Sequence, residues 1–451
     1  MPSVLQDVPE LLQSGDDRGL VRIPVEQDVP FTPRVRALVD TPQFQRLRQI
    51  SQLGLTSLVY PGATHTRFEH ALGVFHNAIR YLRQLGKDPR FESIADRHTV
   101  DVLLASALLH DLGHWPFCHP IEDMALAELP PHEAFAREFL MEPELSSVLR
   151  EQWQVEPEEV LAVLTHTATS PGLRLADSVL SGPIDIDKMD YLHRDSLHCG
   201  VPYGRNFDRN RLMQSLMLDS AGTGLAISEK GRTAAEMMVF ARYVMFSEVY
   251  WHHTVRAATC QFARIFYDLC SRLDLKSFFR TGDAAAIEEL KRHATGQPIQ
   301  PMVDELFGAR RVLYKRVHEL SIFQHEDLYR LLAGRPFGDL VAVCAQVAEV
   351  ASKQLNCDIR PTDLLIDAPP VHREVQFRVQ IHYPKENQTR WLADVSPVVA
   401  SLAREQFDDF VKRVRVFVHP RHKERLREWT DFLPTIHEAI AARPTPIKSG
   451  D

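Results

Sequence analysis

The stretch LLASALLHDLGH, residues Leu103 to His114, joins an apolar run directly to a group of ionisable side chains. Apolar residues cover nearly every face of the segment before His110, which predicts a helix that is buried all round. The C-terminal end of that helix would carry His110, Asp111 and His114 into the interior. Burying ionisable groups side by side costs several kcal/mol unless they are paired or bind a metal. The stretch therefore predicts a helical core with a functional site at one helix end.

The surrounding sequence is also mostly helical in pattern. Apolar residues recur every three or four positions across residues 33–340, as in an amphipathic helix. Examples are residues 74–85, 100–109, 148–164 and 234–273. A chain of 451 residues exceeds one ordinary domain of roughly 100 to 200 residues. We therefore expect a large helical body with a second, smaller part.

The pattern changes near the end of the chain. Residues 371–383, VHREVQFRVQIHY, alternate apolar and polar side chains, which is typical of a half-buried strand. Residues 363–367 and 414–418 also read as strands. The predicted fold class is therefore mainly α, with a smaller α+β C-terminal region. The predicted division is an N-terminal segment 1–32, a helical body 33–340, the α+β region 341–440 and a disordered tail 441–451.

Composition limits the classes of partner. The formal net charge is −8, and acidic and basic residues are interspersed, so nucleic acid binding is not indicated. No run approaches the roughly 18 apolar residues of a membrane helix, and the N-terminus does not resemble a signal peptide. The six cysteines lack the spacing of a disulfide scaffold or a cysteine-rich zinc site. We expect a soluble, cytoplasmic protein with no membrane partner.

A second segment supplies further candidate ligands. In IDIDKMDYLHRD, residues 184–195, Asp187, Tyr191 and Asp195 are four residues apart, so a helix would align them on one face. Two neutral imidazoles and two carboxylates would together carry charge −2 and balance one divalent cation. The four residues of this set are His70, His110, Asp111 and Asp187. Mixed nitrogen and oxygen ligands with open positions suit Mn, Fe, Mg or a related metal acting on a phosphate oxygen and a water.

The alternative is purely structural. A single buried histidine is more often a core residue than a ligand, and an adjacent His-Asp pair is common. Four potential ligands with further histidines nearby are harder to explain in that way. The sequence therefore favours a metal site.

Several strings together resemble one known family. They are QRLRQISQLG, YPGATHTRFEHALGV, HDLGHWPFCH, PHEAF and IDIDKMDYLHRD. They are similar to the HD-superfamily deoxynucleoside triphosphate triphosphohydrolases, which include bacterial dGTPases and the vertebrate protein with SAM and HD domains. The likeness is closest to the catalytic core of the latter, without a SAM domain, and extends from about residue 21 to 429. It implies that residues 33–340 form an HD phosphohydrolase domain.

The resemblance implies roles for individual residues. The metal ligands it implies are the same four residues, with one divalent metal per site and room for a second, catalytic Mg. Arg67 would face the substrate phosphates, and Gln52 and Leu53 would touch the deoxyribose and discriminate against a 2′-hydroxyl. The resemblance also implies that five residues contact the triphosphate, sugar or base: Lys188, Tyr191, Asp195, Arg242 and Tyr250.

The implied reaction is hydrolysis at the α-phosphate, which releases a deoxynucleoside and inorganic triphosphate. His114, His119 and His132 match histidines that serve proton transfer and phosphate binding. His119, supported by His132 and Glu122, is our candidate for protonating the departing 5′-oxygen. Glu122 stands where the family usually has the shorter Asp, which puts the geometry of this proton donor in question.

The resemblance extends only partly to an effector site. Residues 22–32, RIPVEQDVPFT, lack the Asp-Pro and His-Gly pattern of the family. The positions that do match guanine and phosphate contacts of an effector are Asp40, Gln45, Arg48, Arg311 and Lys315. Nucleotide activation and a homo-oligomer, either a dimer or a tetramer, are therefore hypotheses.

Two other functions stay open at this point. Another HD-type nucleotide phosphohydrolase or phosphodiesterase is one, although the HDLGH string lacks the Glu-Asp pair of stringent-response hydrolases and no GYP motif is present. The other is a nucleotide-sensing or nucleic-acid-binding subunit, for instance of a phage-defence assembly. Only the triphosphohydrolase would release inorganic triphosphate.

Overall fold

A computed structural model of the chain describes residues 3–12, 19–26, 28–369, 378–402 and 411–443. They form two compact units. Unit 1 contains the described residues up to Trp115, Pro130–Met245 and 378–402, and unit 2 contains Pro116–Leu129, 246–369 and 411–443. The predicted mainly α fold class is confirmed. None of the helices in these ranges is long and apolar enough to cross a membrane.

The longer helices of unit 1 are α1 (Pro33–Val39), α2 (Arg67–Leu85), α3 (Arg97–Leu109), α4 (Pro157–Leu164), α5 (Pro171–Ser181), α6 (Ile186–His198), α7 (Arg209–Ser215) and α8 (Arg232–Met245). Shorter helices of unit 1 include Ser3–Gln6, Pro42–Gln45, Phe91–Ile94, His132–Phe135, Arg137–Leu140, Pro143–Val148, Leu392–Val395 and Pro397–Ser401.

Helix α3 is the buried helix that the sequence predicts. The Asp96 side chain caps its first turn by accepting from the backbone N–H of Thr99 at 2.8 Å. All residues from Val100 to Leu109 are buried, and His110 follows directly at its C-terminal end. Helix α2 packs against α3 and also against α6. These three helices carry the predicted metal ligands.

Helices α2 and α6 approach closely at Gly73. A Cβ atom on Gly73 would lie 2.0 Å from Asp190 Oδ1 and 2.3 Å from Arg194 Nη2. The absent side chain leaves room for a buried ion pair, in which Arg194 Nε and Nη2 each donate to one oxygen of Asp190 at 2.7 Å. Burial of this charge pair is tolerable because both oxygens are hydrogen-bonded.

Unit 1 also contains short strands, most of which were not predicted from the sequence. Strands β1 (Gly19–Val21) and β2 (Val29–Phe31) form an antiparallel pair. A second sheet has the order β3-β4-β7-β8, from Leu216–Leu218, Leu225–Ser228, Gln380–Tyr383 and Gln388–Trp391. Strands β4 and β7 are parallel, with Ile227 opposite Ile381. These strands are only three or four residues long, too short for a clear alternating pattern.

The longer helices of unit 2 are α9 (His253–Leu269), α10 (Asp283–Ala294), α11 (Gln300–Phe307), α12 (Glu326–Leu332), α13 (Phe337–Leu355) and α14 (Phe432–Ala441), and shorter ones are Cys118–Glu122, Leu275–Phe278 and Lys423–Glu428. A three-stranded antiparallel sheet has the order β5-β9-β6, from Lys315–Leu320, Val414–Val418 and Leu364–Asp367. Helix α13 packs on this sheet, and Val343, Val347 and Val416 belong to the shared core.

The predicted C-terminal strands can be compared with these elements. The strand at 414–418 is confirmed as β9, and the one at 363–367 as β6, which begins one residue later. Of the strand predicted at 371–383, the structure has β7 at Gln380–Tyr383, while 371–377 lie outside the described residues. The predicted disordered tail also lies mostly outside them. The predicted domain boundaries stay a prediction, and residues 340 and 341 both lie in α13.

The contact at Gly73 leads to a testable prediction. The Gly73→Ala variant should lower the free energy of unfolding by about 2 kcal/mol, because the new methyl group would overpack against the Asp190 and Arg194 pair. Chemical denaturation followed by circular dichroism measures the change. Gly86→Ala is the control, since Gly86 ends the same helix with φ −62°, which alanine adopts readily. Equal stability of the two variants would contradict the close approach.

Candidate metal centre

The four predicted ligands converge in unit 1. Helix α2 supplies His70, the end of α3 supplies His110 and Asp111, and the first turn of α6 supplies Asp187. The Nε2 atoms of His70 and His110 are 3.2 Å apart, and His70 Nε2 lies 3.0 Å from Asp187 Oδ1. Asp111 Oδ2 is 3.9 Å from His70 Nε2, and Asp111 Oδ1 is 3.5 Å from His110 Nε2. One donor atom from each of His70, His110 and Asp187 lies within 4.8 Å of the others, close enough to hold one ion, and Asp111 lies beside this group.

Hydrogen bonds on the far side of each ring support this arrangement. His70 Nδ1 lies 2.8 Å from Asp190 Oδ2, and His110 Nδ1 lies 3.0 Å from the carbonyl oxygen of Ala107. If each Nδ1 donates to its acceptor, each Nε2 keeps a lone pair for a metal. Metal-bound histidines usually have this kind of support. The donor set therefore fits a divalent cation.

The support for His70 continues through a buried network. Asp190 holds Arg194, and Arg194 Nη1 donates to Glu69 Oε1 at 2.6 Å. His198 Nε2 lies 2.9 Å from the same Glu69 oxygen. No role was predicted for Asp190, Arg194, Glu69 or His198 from the sequence. The signal was present in the spacing, because Asp190 follows Asp187 by three residues and precedes Arg194 by four.

The electrostatics of the site depend on its burial. Burial alone would raise the pKa of Asp111, but the positive charges of Arg67 and the neighbouring histidines hold that pKa well below its usual range. Burial would lower the pKa of His70, but the carboxylates of Asp187 and Asp190 raise it to about 10. Without an ion, His70 is therefore protonated at neutral pH, and its positive charge offsets the negative charges of Asp187 and Asp190.

Arg67 lies beside the ligand set. Its Nη1 donates to Asp111 Oδ2 at 2.8 Å, and its side chain is buried. Among the described residues, Arg67 Nε has no hydrogen-bond partner. A buried guanidinium with spare donor capacity suits an anionic ligand.

Two of the predicted catalytic histidines lie near Asp111. His114 Nδ1 is 3.1 Å from Asp111 Oδ1, and the rings of His114 and His132 are 3.8 Å apart between centroids. Gly113 permits this contact, since a Cβ there would lie 2.0 Å from the carbonyl oxygen of His132. The glycine of HDLGH thus has a packing role that keeps His132 near the site.

His119, Glu122 and Tyr250 belong to unit 2. His119 Nδ1 lies 3.6 Å from Glu122 Oε2, and the His119 side chain is 61% exposed. The predicted partnership of His119 with Glu122 is therefore geometrically reasonable, even with the longer Glu side chain. The catalytic roles of His119 and Glu122 and the substrate contact of Tyr250 stay predictions.

The predicted substrate residues on α6 and α8 occupy a common region of unit 1. Lys188 pairs with Asp185 and donates to the carbonyl oxygen of Gly182 at 3.2 Å. Lys188 and Arg242 both line one small cavity. Burial raises the pKa of the Tyr191 hydroxyl, the nearby Arg242 opposes that rise, and the phenol stays protonated at neutral pH. Asp195 is buried on the same helix.

The predicted sugar contacts precede α2. Gln52 and Leu53 are half-buried neighbours. Gln52 Oε1 is buried and has no hydrogen-bond partner in the described part of the chain. The Gln52 amide oxygen could therefore accept from a ligand hydroxyl.

The predicted effector residues fall in both units. In unit 1, Asp40 is exposed at the C-terminal end of α1, and Arg48 Nε donates to Gln45 Oε1 at 2.8 Å. Arg311 and Lys315 are exposed residues of unit 2. Within unit 1, Gln45 and Arg48 are thus in contact, and their effector role stays a prediction.

Comparison with known families matches both parts of the chain. The model of the HD domain matches residues 67–195, which include all four predicted ligands. The model of the HD associated region matches residues 207–436. Two family models thus cover the chain from the start of α2 into α14.

Similar proteins include both characterised and uncharacterised members. An uncharacterised protein of Methanocaldococcus jannaschii is 30% identical over 85% of this chain and 76% of its own length. The deoxynucleoside triphosphate triphosphohydrolase SAMHD1 of Gallus gallus is 27% identical over 73% of this chain. The human SAMHD1 is 28% identical over 52% of this chain. The chain spans only 58% and 42% of the length of these two SAMHD1 proteins.

Solved structures give the same picture of the fold. A hypothetical protein from Aquifex aeolicus superposes with a TM-score of 0.70 at 25% identity, covering 91% of this chain and 99% of that one. A phosphohydrolase from Bacteroides thetaiotaomicron superposes with a TM-score of 0.65 at 21% identity, covering 90% of this chain and 100% of that one. The HD associated region matches more than half of the chain, and the archaeal relative matches most of it. This chain therefore belongs to the HD-domain phosphohydrolase family and carries its HD associated region.

Proposed function

We propose that the protein is a metal-dependent triphosphohydrolase that converts deoxynucleoside triphosphates to deoxynucleosides and inorganic triphosphate. The observation that carries this proposal is the convergence of His70, His110, Asp111 and Asp187, with the buried Arg67 donating to Asp111. The similarity to SAMHD1 proteins supports deoxynucleotides as the substrate class. A bound divalent ion would polarise the α-phosphate and lower the pKa of a water.

Charge complementarity supports a polyphosphate substrate. Arg67 donates to Asp111, and Lys188 and Arg242 line one cavity of unit 1. A triphosphate carries several negative charges, and arginine binds phosphate through paired N–H donors. In our proposal, Arg67 exchanges part of its contact with Asp111 for a phosphate oxygen when substrate binds. Lys188 and Arg242 offset the remaining charge.

The chain's own residues also provide for proton transfer. Water oxygen bonds to the α-phosphorus, the bond from phosphorus to the 5′-oxygen breaks, and the departing oxygen needs a proton. Histidine suits this task because its ordinary pKa is near neutrality. We propose His119 as the donor, held by Glu122, with His114 and His132 binding phosphate or passing the proton.

Regulation is part of the proposal. Asp40, Gln45, Arg48, Arg311 and Lys315 would bind a nucleotide effector in a homo-oligomer. The contact between Gln45 and Arg48 supports a preformed recognition element in unit 1. Sizing chromatography with and without nucleotides, together with reaction progress curves, tests this. If nucleotides cause no change in mass and neither a lag nor a sigmoid in rate, the effector is removed from the proposal.

The reaction itself is tested by product analysis. The protein is incubated with each deoxynucleoside and ribonucleoside triphosphate plus Mg or Mn, singly and in mixtures. The deoxynucleotides should yield deoxynucleoside and inorganic triphosphate. Anion-exchange chromatography separates triphosphate from the pyrophosphate or phosphate that other nucleotide hydrolases release. The Asp111→Ala variant should lose turnover because it removes a ligand and the partner of Arg67.

The exposed Asp327 on α12 provides a matched control, and Asp327→Ala should retain full activity. No cleavage of any deoxynucleotide, alone or in mixtures, would refute the proposed function. Release of pyrophosphate or monophosphate instead would assign the protein to another HD-type activity. Binding of single-stranded nucleic acid without turnover would favour the nucleic-acid-binding alternative.

The raised pKa of His70 predicts a pH dependence of metal binding. A metal must displace the proton that His70 holds below a pKa of about 10, so apparent affinity should rise with pH across the neutral range. Mn titration by calorimetry in buffers of different ionisation enthalpy should show release of about one proton per ion at pH 8.

The Asp190→Asn variant probes the same proton. It removes one of the carboxylates that raise the His70 pKa, so fewer protons should be released at pH 8. Loss of this support should also weaken metal binding about 10- to 100-fold. Proton release independent of pH and unchanged in the variant would exclude His70 as a ligand.

A further inference from the structure

A short backbone pairing joins the segment before α2 to residues 50–52. Gln52 N donates to the carbonyl oxygen of His65 at 3.0 Å, and Arg67 N donates to that of Ile50 at 3.0 Å. Ser51 and Thr66 form an antiparallel bridge between these bonds. The backbone of His65 therefore fixes the position of Gln52.

The side chain of His65 makes a second connection. His65 Nε2 lies 2.8 Å from Asp195 Oδ1, and both side chains are almost fully buried, with exposures of 0% and 2%. The His65 ring stacks on His198, with centroids 4.2 Å apart and planes inclined by 14°. The stack fixes the ring plane, and the hydrogen bond fixes the direction of the Asp195 carboxylate.

His65 thus lies between two polar groups that the resemblance assigns to substrate. Gln52 matches a deoxyribose contact and has a buried amide oxygen that lacks a partner among the described residues. Asp195 matches a contact to triphosphate, sugar or base. One residue therefore contacts both groups, through its carbonyl oxygen and through its ring.

We propose that His65 is a positioning residue for sugar recognition, which holds Gln52 through its carbonyl oxygen and Asp195 through its ring. This inference rests on the proposed function. The ligand group is a sugar hydroxyl, whose single proton is donated either to the Gln52 amide oxygen or to the Asp195 carboxylate. Rigidly held polar groups cannot shift to pair with an additional 2′-hydroxyl, which would then be buried without a hydrogen bond. Loosening either group should therefore weaken the preference for deoxyribose.

The first test uses the sugar preference of nucleotide binding. In His65→Leu, the Kd of a non-hydrolysable deoxynucleoside triphosphate should rise about tenfold, since the hydrogen bond to a charged group is lost. The ratio of ribonucleotide to deoxynucleotide Kd should also fall, while Mn affinity stays unchanged. His65→Gln places an amide N–H near the position of Nε2 and should restore much of the preference. Equilibrium dialysis measures each Kd without requiring turnover.

A matched control separates this role from general packing. His76 on α2 also approaches a carboxylate, with Nε2 3.6 Å from Glu26 Oε2. His76→Leu should leave the sugar preference intact. A His65→Leu variant that loses stability but keeps the wild-type ratio would overturn the positioning role.

A double-mutant cycle makes the test sharper. Asp195→Asn should reproduce the change in sugar preference, and the double variant with His65→Leu should lose little more than either single variant. Additive effects would contradict the proposed link. Absence of nucleotide binding and cleavage in the wild-type protein would refute the proposed function itself, whereas a functional wild type with additive variants would refute only the role of His65.

Discussion

Burial of charge is the constraint on which the site depends. Asp111 and Asp190 are buried close to two histidines, and an uncompensated buried charge costs several kcal/mol. Arg67 and Arg194 each neutralise one carboxylate, and a raised pKa lets His70 supply a further positive charge when no ion is bound. A divalent cation would replace that proton and balance the ligand set.

Three packed helices position the ligands, because His70 and Asp187 lie on α2 and α6, and His110 and Asp111 follow directly after α3. Helices α2 and α6 meet at Gly73, where the missing side chain admits the Asp190 and Arg194 pair. Asp190 then orients His70 from the side opposite Asp187. A site supported in this way is held in place before any ligand arrives. Metal binding and the packing of two core helices are therefore linked through the same ion pair.

Sequence alone predicted the parts of this site that have a local pattern. The buried helix before His110 follows from its apolar run, and the alignment of Asp187 with Asp195 follows from helical spacing. The support of His70 by Asp190 depends on helix packing across 120 residues, and no local pattern specifies such a contact. The proposed role of His65 could not be predicted from the sequence for the same reason, because its contact with Asp195 spans 130 residues. Most short strands of unit 1 were missed because three or four residues carry too little periodicity.

The central claim is that His70, His110, Asp111 and Asp187 bind one divalent ion. Anomalous X-ray scattering from crystals of the protein grown with Mn tests it most directly. We predict a peak within about 2.0–2.6 Å of both Nε2 atoms and an oxygen of each carboxylate. Absence of a peak among these four side chains at saturating Mn and alkaline pH would contradict the account.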